Sequence, residues 1–321
     1  MSKITLGIDI SKAKFDAAVL LADNKVKTKK FDNKINSFLA LIEWLDKIGI
    51  QDFHACMEAT GNYGQALATY LDELGYQVSV VNPAQIKGFS QSGLARNKND
   101  RADSILIARF CRAINPKPWK PAPLHIQELQ SWVRRLEALQ AMEQQEKNRL
   151  GVASAHVKAS IETVIKHLGQ EIKAVQERIK GCIEEHQELR DNQALLGTIP
   201  GIGQATISRV LAFIGNAADF RNAKHLSAFL GLSPRQHQSG SSVQGRTRLS
   251  KTGNGGLRKA FYMPAIVAKQ HNPIIRAFCE KLKKAGKSMM VIIGAAMRKL
   301  VHLIYGVLKT GKAFEAKLSG V

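Results

Sequence analysis

Four acidic residues in the first third of the chain stand where carboxylates can do chemistry. Asp9 lies between Ile8 and Ile10 inside the branched, apolar run KITLGIDI. Glu58 follows Cys56-Met57 and precedes Ala59-Thr60-Gly61, a strand-to-loop transition. Asp100 and Asp103, in NDRAD, are three residues apart and share one face of a helix. Carboxylates gathered in this way hold hard divalent cations such as Mg2+, and paired ions stabilise the attacking and leaving oxygens of phosphoryl transfer. The spacing alone also admits a second reading. In it both aspartates face solvent and Asp100 is favoured by the dipole at a helix N-terminus.

A second set of candidates lies far along the chain. Ser239, Ser241 and Ser242, in QSGSS, are surrounded by Arg235, Arg246, Arg248, Lys251, Arg258 and Lys259, all candidates for contact with nucleic-acid phosphates. Glycines at 245, 253, 255 and 256 read as a loop. A serine hydroxyl is a poor nucleophile until a base or metal activates it. No Asp or Glu occurs from Arg221 to Cys279, so activation has to come from elsewhere in the protein. A Ser/Gly loop also reads as a linker, and spacing does not choose among the three serines. Upstream, Gly201 and Gly203 in GTIPGIG precede an apolar helix through Ile214. Such a turn offers the free N–H groups of a helix N-terminus to an anion and resembles a helix-hairpin-helix element. A packing turn between two helices is the other reading of the same glycines.

Charge ties these motifs to a partner. The 321 residues carry 47 Lys+Arg and 26 Asp+Glu, a net +21. Residues 1–120 hold 17 basic and 12 acidic residues, residues 121–190 hold 10 and 10, and residues 191–321 hold 20 and 4. About three quarters of the excess is thus C-terminal, and a run of one sign favours a polyphosphate surface over a solvated face of mixed sign. A hydrophobic content of 45% with 23% charged residues is that of a globular protein, and excludes a disordered or collagen-like chain. Cys56, Cys111, Cys182 and Cys279 form no CxxC pair and read as reduced cysteines of a cytoplasmic protein. The N-terminus lacks a signal-peptide core. Met289 to Leu308 is apolar but interrupted by Arg298, Lys299 and His302, and reads as a helix buried in protein, with no membrane partner.

The elements that must position these residues follow from hydrophobic periodicity. Strands are expected at Lys3–Ile10, Phe15–Leu21 and Lys25–Phe31 as an antiparallel meander, then at Phe53–Met57 and Gln77–Val81. Helices are expected at Asn36–Ile48, Tyr63–Leu74 and Asn99–Ala113, with a break at Asn82-Pro83. The result is a mixed α/β domain over 1–120. Residues 121–190 read as long helices, with Leu129, Trp132, Leu136, Leu139 and Met142 in one stripe, either an internal helical hairpin or a coiled coil joining protomers as a dimer or tetramer. Prolines at 116, 118, 121 and 123 mark the boundary before them, and residues 191–321 form a basic, mainly α domain.

The acidic pattern resembles the RNase H-like fold of RuvC-type resolvases. GIDIS (7–11), MEATGNYG (57–64), VVNPAQIKGFSQS (80–92) and RNKNDRADS (96–104) resemble the DEDD transposases of insertion sequences, a family that includes the Piv-type DNA invertases. GTIPGIG, LSAFLGLSPR (226–235), SGSSVQG and LRKAFYMPAIVA continue the resemblance through the C-terminal part. The resemblance implies a Mg2+-binding tetrad at Asp9, Glu58, Asp100 and Asp103, and a nucleophilic Ser239 that forms a phosphoserine link with DNA. It also implies a noncoding bridge RNA in many members, and a bacterial enzyme acting at the nucleoid. The expected function is insertion-sequence transposition. Site-specific inversion, hydrolytic RuvC-like nuclease action and non-catalytic nucleic-acid binding are the alternatives.

Overall fold

The computed structural model describes residues 4–316, apart from residues 60, 62, 93–99 and 240–242. The chain divides into two compact units, residues 1–122 and 123–321.

The first unit is a mixed sheet with helices on both faces. Strands β1 (Thr5–Ile10), β2 (Lys14–Leu20) and β3 (Val26–Asp32) form the expected antiparallel meander. Helix α1 (Ile35–Lys47) then carries the chain back so that β4 (His54–Glu58) pairs parallel with β1, because a parallel pair requires a crossover. Helix α2 (Gln65–Glu73) leads to β5 (Gln77–Val81), parallel to β4. The strand order is β3-β2-β1-β4-β5. One face packs Leu6, Ile8, Phe15 and Met57 against Phe38, Leu41 and Leu45 of α1 and Leu67 and Leu71 of α2. Helices α3 (Pro83–Ser92) and α4 (Asp100–Ile114) serve the other face, where Cys56 and Val81 meet Ile86, Ile107, Phe110 and Cys111. Helix α3 starts where the sequence reading placed a break. Pro83 needs no N–H donor in a first helical turn, and the Asn82 side chain accepts from the Ala84 N–H at 2.8 Å.

The second unit opens with two long helices, α5 (Leu124–Leu150) and α6 (Ala155–Glu185). They share one apolar core with the C-terminal helices: Leu129, Val133, Leu136 and Leu139 of α5 and Val175, Ile179 and Ile183 of α6 lie in the same cluster as Leu300 and Ile304. The expected stripe shifts accordingly. Val133 is buried, Trp132 lies under the Arg178 guanidinium, and Met142 is exposed. The outer half of the hairpin has little core, with Val152, Val157 and Val164 exposed. Helix α6 ends at Glu185, and α7 (Gln187–Gly197) follows the extended His186.

Next come α8 (Gln204–Phe213) and α9 (Ala223–Phe229). Strands β6 (Pro234–Ser239) and β7 (Val243–Leu249) pair antiparallel. Helices α10 (Gly255–Ala260), α11 (Tyr262–His271), α12 (Pro273–Lys284) and α13 (Met289–Thr310) complete the unit. By length and composition α13 could cross a membrane, yet Ile292, Ala296, Leu300, Val301 and Ile304 are buried in the unit's core. All four cysteines are buried, and none forms a disulfide.

Candidate active site and nucleic-acid interface

Register brings the acidic residues to one edge of the first unit. Along β1, Leu6, Ile8 and Ile10 point to the α1–α2 core, so Thr5, Gly7 and Asp9 face the opposite side. That side is covered by α4. Thr5 Oγ1 donates to the Ala108 carbonyl at 2.9 Å. A Cβ on Gly7 would stand 2.1 Å from the Ser104 carbonyl oxygen and 2.3 Å from the Ala108 nitrogen. Moving along β1 from Thr5 through Gly7 therefore means moving back along α4 from Ala108 to Ser104. Asp9, about 7 Å beyond Gly7 at the strand rise, lies toward the N-terminal turn of α4, the turn that holds Asp100 and Asp103. Glu58 ends β4. Since Ile8 pairs with Met57 in the parallel ladder, Asp9 and Glu58 occupy the next level of adjacent strands.

Asp9, Glu58 and Asp103 are each partly buried. Asp103 lies one turn before the buried Ile107, on the stripe of α4 that meets the sheet. Asp100 is the first residue of α4, and its side chain lies outside the described residues. Among the described residues, no three His, Cys, Asp or Glu side chains close into a group that could hold a metal ion. The donors at this edge are nonetheless hard carboxylate oxygens, the type that suits Mg2+.

Two residues of this edge escape a reading of isolated motifs. Gly7 is required because the backbone of α4 occupies the volume of a side chain there. Asp16 stands directly opposite Asp9 in the antiparallel ladder, with Lys30 opposite Asp16 on the next strand. A level of the sheet thus reads Glu58, Asp9, Asp16, Lys30. The signal for Asp16 was the short turn after Ile10, which fixes the register of a two-stranded ribbon.

In the second unit the segment around Ser239 is a hairpin, where a loop was expected from its glycines. Val243, Thr247 and Leu249 supply branched and apolar residues on β7, and Leu249 packs where Gly294 of α13 leaves room for it. Arg235 pairs with Arg248 and His237 with Gly245, so β7 carries an extra residue, a bulge that tolerates glycine. Ser239 ends β6 opposite Val243. The side chains of Ser239 and Arg246, and residues Gly240, Ser241 and Ser242 altogether, lie outside the described residues.

The remaining candidates fall into two groups. Arg235, Arg248, Lys251 and Lys259 are exposed. Arg258 is partly buried, and its Nη1 donates to the carbonyls of Leu230 (3.2 Å) and Lys251 (3.1 Å). Gly203 is exposed at the N-cap of α8. Gly201 has φ +100°, and a Cβ there would stand 2.6 Å from Ala268 of α11. Close packing therefore accounts for glycine at 201, as in the packing-turn reading.

Comparison with known proteins bears on both units. The DEDD transposase family of IS110 elements matches residues 6–153, and the family described as "Transposase IS116/IS110/IS902 family" matches residues 193–280. The pilin gene-inverting proteins of Moraxella bovis and Moraxella lacunata are each 33% identical to the chain over 321 residues, covering 99% of both chains. The chain belongs to the IS110 family of transposases and Piv-type invertases. An IS110-family protein of this kind is a DNA transposase/recombinase. The transposase for insertion sequence element IS1111A of Coxiella burnetii is 25% identical over 290 residues, covering 79% of this chain and 74% of that one. The first family match contains Asp9, Glu58, Asp100 and Asp103, and the second contains Ser239 and its basic neighbours.

Proposed function

We propose that this IS110-family enzyme cuts and rejoins DNA with Ser239 as nucleophile and Asp9, Glu58, Asp100 and Asp103 as a Mg2+-binding tetrad, in the transposition of an insertion sequence. The observation that carries the reading is the edge where the ends of β1 and β4 meet the N-terminal turn of α4. The strand order β3-β2-β1-β4-β5, with only the first three strands antiparallel, supports an RNase H-like, RuvC-like first unit. Asp9 between Glu58 and Asp16 supports a cation there, because like charges directly opposite in a sheet repel. Magnesium held by the four carboxylates would neutralise charge developing on the phosphate oxygens.

The chain's own residues do the rest. The Ser239 hydroxyl loses its proton and its oxygen attacks the scissile phosphorus. A phosphoserine bond forms as the bond to the leaving strand's oxygen breaks, and that strand departs as a hydroxyl end. A hydroxyl end of the strand to be joined then attacks the phosphoserine, the serine oxygen takes back a proton, and a phosphodiester is restored. One phosphate ester replaces another at each step, so ATP is not needed. No Asp or Glu between Arg221 and Cys279 can act as a local base, so activation comes from outside that segment. Arg235, Arg246, Arg248, Lys251 and Lys259 contact phosphates. The exposed N-cap Gly203 leaves the first N–H groups of α8 available to a further phosphate, in a helix-hairpin-helix manner.

Guidance by a noncoding bridge RNA belongs to the same reading, as the family resemblance implies. So does assembly as a dimer or tetramer, supported by the exposed apolar residues on the outer half of the α5–α6 hairpin. The enzyme would act in the bacterial cytoplasm, at the nucleoid. A second reading, site-specific inversion of a DNA segment, is favoured by the full-length match to the pilin gene-inverting proteins.

The test is a denaturing gel of the protein with labelled DNA. Wild type should give a protein–DNA adduct, and Ser239→Ala should bind DNA and give none. An adduct that persists in Ser239→Ala but disappears in Ser241→Ala or Ser242→Ala moves the nucleophile. Free cut ends, unaffected by all three substitutions, mean a hydrolytic nuclease. A plasmid carrying inverted sites separates the two recombination outcomes: inverted products favour the invertase, insertions elsewhere the transposase.

A further inference from the structure

We infer that Arg258 is a positioning residue for the strand that carries Ser239, and not a phosphate contact. This rests on the reading of Ser239 as nucleophile. The hairpin β6–β7 is rooted in two segments, 227–233 and 250–258, and backbone hydrogen bonds lock them together. The Ser250 N–H donates to Ser233 (2.8 Å), Lys251 to Gly231 (3.2 Å) and Asn254 to Phe229 (2.8 Å), while the Leu232 N–H closes the first segment on itself by donating to Ser227 (2.8 Å). Three residues here have left-handed φ: Gly231 (+69°), Lys251 (+55°) and Gly253 (+144°). A Cβ on Gly253 would stand 2.4 Å from the Phe229 carbonyl oxygen, and one on Gly231 would stand 2.4 Å from Arg258 Nη1.

The guanidinium of Arg258 fills the space left by Gly231. From there Nη1 reaches the carbonyl of Leu230, on the arm leading into β6, and that of Lys251, on the arm leaving β7. One donor atom thus joins both arms. The strained backbone at Lys251 persists because its N–H and C=O are both held. Arg258 is itself fixed by α10, whose N-cap Asn254 accepts from the Leu257 N–H at 3.0 Å. Lysine would keep the charge, but its side chain is one atom shorter and its compact ammonium does not fill the space beside Gly231 that the planar guanidinium occupies. The exposed pair Arg235 and Arg248 makes the contrast. They stand side by side on the hairpin, where a phosphate would relieve their repulsion.

The experiment uses the full chain and three readouts: salt-titrated affinity for a labelled duplex, the rate of adduct formation, and hydrogen exchange of residues 249–254. Arg258→Lys and Gly253→Ala should keep wild-type affinity and salt slope, slow adduct formation by about 10²-fold, as small misplacements of a reacting group do, and speed exchange at the root. Arg258→Gln should leave the salt slope unchanged, whereas Arg248→Ala should lower it by about 1. A wild-type adduct rate in Arg258→Lys overturns the proposal. So does a slope lowered by about 1 in Arg258→Gln, the signature of a phosphate contact. If Arg258→Gln does not fold, Gly253→Ala and Arg258→Lys decide. An adduct that survives Ser239→Ala sinks the serine reading itself. An adduct lost in Ser239→Ala but formed at full rate in Arg258→Lys sinks only the positioning role.

Discussion

The acidic edge of the first unit and the serine hairpin of the second are built in opposite ways. Asp9 and Glu58 reach one edge through sheet pairing between distant strands, and a helix laid on Gly7 turns its N-terminal end toward that edge. The hairpin is fixed by neighbours, Ser227 to Arg258, through backbone hydrogen bonds, left-handed residues and one arginine. The first construction depends on global packing, so one added methyl group can dismantle it. The second depends on local geometry, so its failure should spare the rest of the unit.

The largest expected effect tests that contrast directly. Gly7→Ala should push α4 off the sheet, with a stability loss of about 3 kcal/mol or more and no detectable adduct. Its Cβ would meet backbone atoms that cannot turn aside. Thermal unfolding of wild type and variant checks it, and unchanged melting with full activity would refute the packing account. Salt comes next. If the acid-free stretch from Arg221 to Cys279 makes six phosphate contacts, affinity for a duplex should fall by roughly 10³ between 50 and 200 mM salt. A flat dependence removes nucleic acid as the partner of that surface.

A smaller effect sharpens the acidic edge. Asp16→Asn removes one of two carboxylates directly opposite each other. It also removes the attraction to Lys30 on the next strand, so the two losses oppose each other and stability in metal-free buffer should change by less than about 0.5 kcal/mol. Denaturant melts would show this: a clear gain would mean that the repulsion from Asp9 dominates, and a clear loss that the pairing with Lys30 does. The smallest effect concerns His302 on α13. Burial first, and then Arg298, Lys299 and Lys224, hold its pKa below the ordinary imidazole value, and its Nε2 is buried with no hydrogen-bond partner among the described residues. The unfolded chain therefore binds this proton more readily than the folded one. Stability from His302 is present above the unfolded pKa and lost as pH falls through it toward the folded one. Unfolding midpoints measured from pH 7.5 to 5 should drop for wild type and flatten for His302→Leu. Parallel curves would assign the drop to another group.

Most strands and helices could be read along the chain because local periodicity reports which face is buried. The meander, the crossover to β4 and the D-x-x-D turn of α4 follow from branched runs, helical spacing and turn residues. Two readings went astray for identifiable reasons. Pro83 looked like a breaker, but proline is well placed in a first helical turn. The glycines at 245, 253, 255 and 256 looked like a loop, but one tolerates a bulge and another a left-handed turn beneath a hairpin. Charge marks Arg258 as a candidate phosphate ligand in the sequence, whereas the two carbonyls that its Nη1 reaches in the folded chain are not visible there.

The sequence by itself determined the inventory: four carboxylates, three serines in a basic stretch free of Asp and Glu, and a charge excess that needs a polyanion. Residue type decides those properties before any contact is made. Only the tertiary structure decided that Asp16 stands against Asp9, that Gly7 exists to admit α4, and which arginines face solvent and which brace the backbone. Those outcomes depend on register and on the space between elements distant in sequence. A one-residue slip would reverse every face.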